Sequence, residues 1–144
     1  MKNLKVLLTM LLIVAGSLAK ANNNDDDYKL TKAYASNIYI EAVTLGKLEG
    51  FESILDKDAK FCILMGNNKR VATYSKAEML EYMQANLKGL KQLCTTSSAV
   101  VEENGQMSVL KVEMKYGDFT RTNYVTFADT GKGWKITNVC SVYK

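Results

Sequence analysis

Apolar positions follow two periods along this chain, and the switch from one to the other sets out the expected elements. Over residues 28–45, Thr31, Ala35, Ile38, Ala42 and Leu45 recur at helical spacing, Tyr34 and Tyr39 widen the stripe, and Gly46 is placed to end the helix. A second short helix is expected over residues 48–55, carrying Phe51, Ile54 and Leu55 inward, before Asp56-Lys57-Asp58 turns the chain into a strand. Residues 61–65 and 70–74 then flank Gly66-Asn67-Asn68-Lys69 as a hairpin would. Ser75-Lys76-Ala77-Glu78 reads as a capping box opening a helix through Leu87, with Met79, Leu80, Met83 and Leu87 inside. Four strands follow, near residues 92–103, 107–116, 119–128 and 133–143, with turn pairs at Asn104-Gly105 and Gly117-Asp118.

The two-residue turn at Gly117-Asp118 fixes a register. It sets Tyr116 opposite Phe119, Met114 opposite Arg121, Val112 opposite Asn123 and Leu110 opposite Val125. A loop at residues 129–132 would continue that face onto the last strand, pairing Phe127 with Trp134, Val125 with Ile136, Asn123 with Asn138 and Arg121 with Cys140. The other face, with Thr122, Tyr124, Thr126, Thr137 and Tyr143, is polar and rich in threonine, suited to water or another subunit. On the inner face, Arg121, Asn123 and Asn138 stand among Met114, Tyr116, Trp134 and Ile136. A buried guanidinium and two amides need partners. Either they satisfy one another, with Glu41 of the first helix as a candidate counter-charge, or they hold the polar end of a ligand, Arg121 engaging an anion. The expected ligand site is therefore Arg121, Asn123, Asn138, Tyr116, Met114, Trp134 and Tyr39.

The first 21 residues change the picture of charge. Lys2 and Lys5, an apolar run from Val6 to Ala15 and the small residues ending Ala19-Lys20-Ala21 have the form of a cleavable signal peptide, cut after Ala21 or Ala19. The run is too short to span a membrane. The expected product is exported, periplasmic or secreted, with a disordered polar leader at residues 22–27 and one domain over 28–144. Lys2, Lys5 and Lys20 leave with the signal, so the net charge of +4 falls to +1 and no electrostatic case for nucleic acid survives. Nor is a membrane partner expected after cleavage.

Candidate chemistry is narrowed further by what is missing. The chain has no histidine, which removes Ser-His-Asp and Cys-His nucleophile systems and histidine metal sites. It has no nucleotide-binding glycine motif, so no cofactor or metal is implied. Of the three cysteines, Cys62, Cys94 and Cys140, one pair at most can close a disulfide, and their spacing does not choose it.

The order of elements, together with Tyr39-Ile40-Glu41-Ala42-Val43-Thr44-Leu45-Gly46 leading to Phe51, Asp58-Ala59-Lys60-Phe61, and Gly133-Trp134-Lys135-Ile136, resembles the nuclear transport factor 2-like superfamily, in particular its polyketide-cyclase-like and putative lumazine-binding-like branch. The resemblance implies an α+β, cystatin-like cone in which a curved antiparallel sheet wraps the N-terminal helices around a pocket. It also implies a homodimer through the outer sheet. Enzymes of the superfamily include ketosteroid isomerase and dehydratases, but Ile63 stands about where the isomerase-like pattern has its aspartate base, and dehydratase-like members use histidine. The leading expectation is thus a non-catalytic binder of a small acidic molecule. Its alternatives are a histidine-free isomerase or dehydratase working through Glu41, Tyr34, Tyr39 or Tyr116, and a dimeric interaction module with a filled cavity.

Overall fold

The structure is a computed structural model and describes residues 26–66 and 70–144. The expected signal peptide and most of the polar leader lie outside the described residues. A helical turn at residues 26–29 leads to Thr31, whose hydroxyl accepts the Tyr34 N–H and caps helix α1, Lys32–Leu45. Thr31 is therefore a cap rather than the first apolar position of the helix. Gly46 ends α1 in the left-handed region at φ 67°, its N–H donating to the Ala42 carbonyl. The expected second helix is only a 3-10 turn, Glu52–Ile54, because Leu55 is already extended.

Strand β1, Leu55–Met65, pairs antiparallel with β2, Arg70–Ser75. Asp56-Lys57-Asp58 does not precede the strand but lies within it, at a break in pairing where the Asp56 carboxylate accepts the Asp58 N–H at 3.0 Å. Helix α2, Lys76–Asn86, opens on the expected capping box: Ser75 Oγ accepts the Glu78 N–H, and the Glu78 carboxylate accepts the Ser75 N–H at 2.7 Å. Strands β3, Thr95–Glu103, β4, Met107–Lys115, β5, Thr120–Asp129, and β6, Trp134–Tyr143, complete a six-stranded curved sheet in the order β2-β1-β6-β5-β4-β3. All neighbours are antiparallel except β1 and β6, which run parallel.

The β4–β5 register is the expected one, with Met114 opposite Arg121 and Val112 opposite Asn123. The β5–β6 register is not. Trp134 pairs with Asp129, and a bulge beside Thr137 then offsets the strand again, so that Asn123 faces Ser141 and Arg121 faces Tyr143. The offset turns Ser141 and Tyr143 inward and moves Asn138 and Cys140 to the outer face.

Helix α1 packs on β6, and α2 packs on β1 and β2. The core between them is apolar, with Phe51, Ile54, Met114, Val125, Phe127 and Ile136 almost fully buried. Among the described residues, no helix is long and apolar enough to cross a membrane, and no group of carboxylates and thiols is placed to hold a metal ion.

Candidate functional site

Where α1 and α2 part above the sheet, a cavity of about 620 Å³ opens. Its walls are largely apolar and aromatic: Tyr39 and Val43 come from α1, Phe61, Ile63 and Met65 from β1, Met79, Tyr82 and Met83 from α2, and Val139, Ser141 and Tyr143 from β6. Arg121 of β5 is the cation in this wall. A second hollow, of about 610 Å³, lies between the 3-10 turn and α2. It has neither a cation nor a buried polar atom without a partner among the described residues.

Arg121 is held from below. Its Nε donates to Asn123 Oδ1 at 3.0 Å, and its guanidinium lies 5.8 Å from the centroid of the Tyr143 ring. Asn123 is fully buried and its Oδ1 also accepts the Ser141 hydroxyl at 2.7 Å, while its Nδ2 lies 3.8 Å from Met114 Sδ. One amide oxygen thus fixes both a guanidinium and a hydroxyl. Among the described residues no carboxylate pairs with Arg121, and its two Nη atoms have no hydrogen-bond partner. Glu41, the counter-charge expected from the sequence, instead meets Lys47 at 3.4 Å.

Tyr39 is 1% exposed, and its hydroxyl has no hydrogen-bond partner among the described residues. Burial pushes its phenol well above the usual tyrosine range, with Arg121 offsetting part of the rise. The group is therefore a neutral donor at any physiological pH. A buried hydroxyl left unpaired costs about 1–3 kcal/mol, and this one belongs to a residue of the cavity wall that also holds Arg121. The carboxylates at this cavity belong to α2. Glu78 is held below the ordinary glutamate range by its hydrogen bonds from Ser75, and Glu81 lies one turn further on.

The structure brings Arg121 and Tyr39 together, with Asn123 and Met114 directly behind them. The remaining expected site residues lie elsewhere. Asn138 pairs with Thr126 on the outer face, because the bulge at Thr137 shifts it out of the inner row. Trp134 sits at the far end of β6, where Lys32 lies 5.2 Å over its ring and its backbone N–H donates to the Leu30 carbonyl. Tyr116 donates to Gln92 Oε1 at 3.0 Å and stacks on Phe119 at 4.4 Å. Phe119 in turn lies 6.1 Å from Tyr143, so Tyr116 reaches the site only through this aromatic row. Ser141 and Tyr143 are the contributors that the sequence pattern missed. Their signal is the three-residue gap between the buried Ile136 and Val139, where an unbroken strand would show a gap of two.

Solved structures share this architecture at low identity. An NTF-2 like protein of unknown function from Silicibacter pomeroyi superposes with a TM-score of 0.59 at 16% identity, over 78% of this chain and 90% of that one. A cystatin-like fold protein from Burkholderia xenovorans gives 0.57 at 11% identity, over 76% and 85%. A protein described as a putative ketosteroid isomerase from Parabacteroides distasonis gives 0.53 at 12% identity, over 77% and 86%. No curated protein matches the chain significantly. The family profile described as "Putative lumazine-binding" matches residues 29–143, nearly everything after the N-terminal segment. The α+β fold is the one these NTF2-like and cystatin-like structures share, and the profile match gives the family: the chain belongs to the putative lumazine-binding family.

Proposed function

We propose that this protein is an exported, non-catalytic binder of a flat, largely apolar small molecule that carries an anionic or strongly accepting group. The observation that carries the reading is the pairing of an unpartnered buried Tyr39 hydroxyl with a partly free Arg121 guanidinium in one aromatic-walled cavity. Apolar walls with a few convergent polar groups are the usual form of a small-molecule site. Lumazine, named in the family's description, is a flat heteroaromatic dione and has the right chemistry: a ring for the aromatic walls and carbonyl oxygens for Tyr39 and Arg121. The open cavity beside Arg121 supports this reading over a filled interaction module. The displacement of Glu78 below its ordinary range, by its hydrogen bonds from Ser75, counts against that cavity carboxylate serving as a burial-tuned acid in an isomerase or dehydratase.

The test is a thermal-shift and calorimetric titration with lumazine, 2-naphthoate and neutral 2-naphthamide. Lumazine and 2-naphthoate are expected to raise the unfolding midpoint, the amide less so. Arg121→Met is expected to weaken 2-naphthoate by about tenfold to a hundredfold, the range for a hydrogen-bonded charge, while leaving the amide nearly unchanged. Tyr39→Phe is expected to keep or raise the stability of the free protein, since it deletes an unsatisfied group, and still to weaken 2-naphthoate and lumazine. Equal shifts in wild type and Arg121→Met, or none with any probe at millimolar concentration, would overturn the reading.

Export and self-association belong to the same proposal. The support for export is the pattern of residues 1–21. The support for a homodimer is the outer surface of β4 and β5, where Tyr124 is 38% exposed between Thr122 and Thr126, and Lys111 pairs with Glu113 at 2.7 Å. N-terminal sequencing of protein recovered outside the cytoplasm is expected to start at residue 20 or 22, and sedimentation of that material to give twice the chain mass. An intact N-terminus, or a monomer at micromolar concentration, counts against each in turn.

A further inference from the structure

The bulge that carries Ser141 and Tyr143 into the cavity has a second effect, on the other face of the sheet. Cys140 moves outward, and in the parallel β1–β6 pairing its register partner is Cys62. Neighbouring strands lie about 4.8 Å apart, and register partners point to the same face. That separation falls within the roughly 4.4–6.8 Å between Cα atoms that a disulfide requires. Both side chains are partly exposed and both are thiols here. The third cysteine, Cys94, immediately precedes β3, with its sulfur 3.6 Å from the Thr96 hydroxyl; β4 and β5 stand between that strand and β6. The fold thus makes the choice that the spacing of the three cysteines leaves open.

We propose that Cys62 and Cys140 are a disulfide site that staples β1 to β6 across the floor of the cavity. Phe61 and Ile63 flank one cysteine and Val139 and Ser141 the other, and all four line the cavity. The cross-link therefore fixes the two strands whose inner residues shape the ligand wall. In the reduced chain, burial first and the adjacent Cys62 sulfur second push the Cys140 thiol up to about 11, in keeping with two thiols in close contact. The oxidant is a small-molecule or protein disulfide. One cysteine thiolate attacks it and releases one thiolate, forming a mixed disulfide. The other cysteine thiolate then attacks the chain's sulfur in that mixed disulfide and releases the second. Two cysteine thiols lose two protons and two electrons, and the oxidant disulfide becomes two thiols.

The probe is oxidised glutathione acting on folded protein, both wild type and Cys94→Ser. Cys94→Ser is expected to lose both titratable thiols, fall in mass by two hydrogens as a monomeric chain, and yield one linked pair of peptides containing Cys62 and Cys140. Wild type is expected to retain a single thiol, at Cys94. Closing a loop of this length is expected to raise the unfolding midpoint by about 5 °C or more over the dithiothreitol-treated protein. Cys62→Ser should show neither the link nor the rise. Persistence of both thiols, trapping of either as a glutathione adduct, or links only between chains or to Cys94 would overturn the proposal. If Cys94→Ser fails to fold, peptide mapping of oxidised wild type decides between the same outcomes.

Discussion

Gly46→Ala is expected to lower stability by about 3–5 kcal/mol, enough to unfold a marginal domain of this size. Two independent penalties meet at this position. Its φ of +67° lies in the left-handed region, which costs a residue with a Cβ about 1–2 kcal/mol. A Cβ there would also stand 2.0 Å from the Leu87 carbonyl oxygen, 2.6 Å from the Leu90 nitrogen and 2.8 Å from the Gly89 nitrogen, all of them backbone atoms that cannot swing aside. The closeness is structural. The Gly46 carbonyl accepts the Gly89 N–H at 2.9 Å and the Thr44 carbonyl accepts the Gln92 N–H at 2.7 Å, so the end of α1 is bonded to the segment leaving α2. Leu87, in the cavity wall, hangs from that junction. Gly89→Ala separates the two penalties, because Gly89 has φ +72° but nothing within 4 Å of where a Cβ would stand, and it should cost only about 1 kcal/mol. Urea denaturation of the two variants measures the difference. Equal losses would show that the contact with α2 is unimportant.

The helix ends and one hairpin were legible in the sequence because short-range chemistry decides them. Gly46 and the Ser75–Glu78 box mark their boundaries with residues whose backbone or side-chain preferences act locally. Gly117-Asp118 sets the β4–β5 register for the same reason, and that places Arg121 and Asn123 correctly on the inner face. The β5–β6 connection escapes the pattern because two departures add together. The closing pair is Asp129 with Trp134 rather than Phe127 with Trp134, and Thr137 is accommodated as an extra residue without any glycine to announce it. The expected polar cluster is therefore misplaced on β6, with Asn138 standing in for Ser141. The parallel β1–β6 pairing was out of reach for a different reason. It joins residues about 80 positions apart, and neither alternation nor turn chemistry carries information over that distance. This pairing juxtaposes the two cysteines and closes the cavity floor.

Asn123→Ala carries the second large expectation, a loss of about 3 kcal/mol, and it tests whether the network beneath the cavity is one unit. The substitution removes the acceptor shared by Arg121 Nε and Ser141 Oγ, leaves the Ser141 hydroxyl buried without a partner, and opens space against Met114. Ser141→Ala deletes only one donor and leaves Arg121 in place, so it should cost about 1 kcal/mol. If the amide oxygen couples the two, the double variant will cost less than the sum of the singles by about 1 kcal/mol. Simple additivity would mean that Ser141 and Asn123 are neighbours without being partners. The effect on 2-naphthoate gives a second, independent readout. Asn123→Ala frees Arg121 from its anchor, so its guanidinium must be ordered when the ligand binds, and affinity should fall even under conditions where the protein remains fully folded. Ser141→Ala should leave affinity almost unchanged. A binding loss in both variants would place the ligand's polar end on the Ser141 hydroxyl rather than on Arg121.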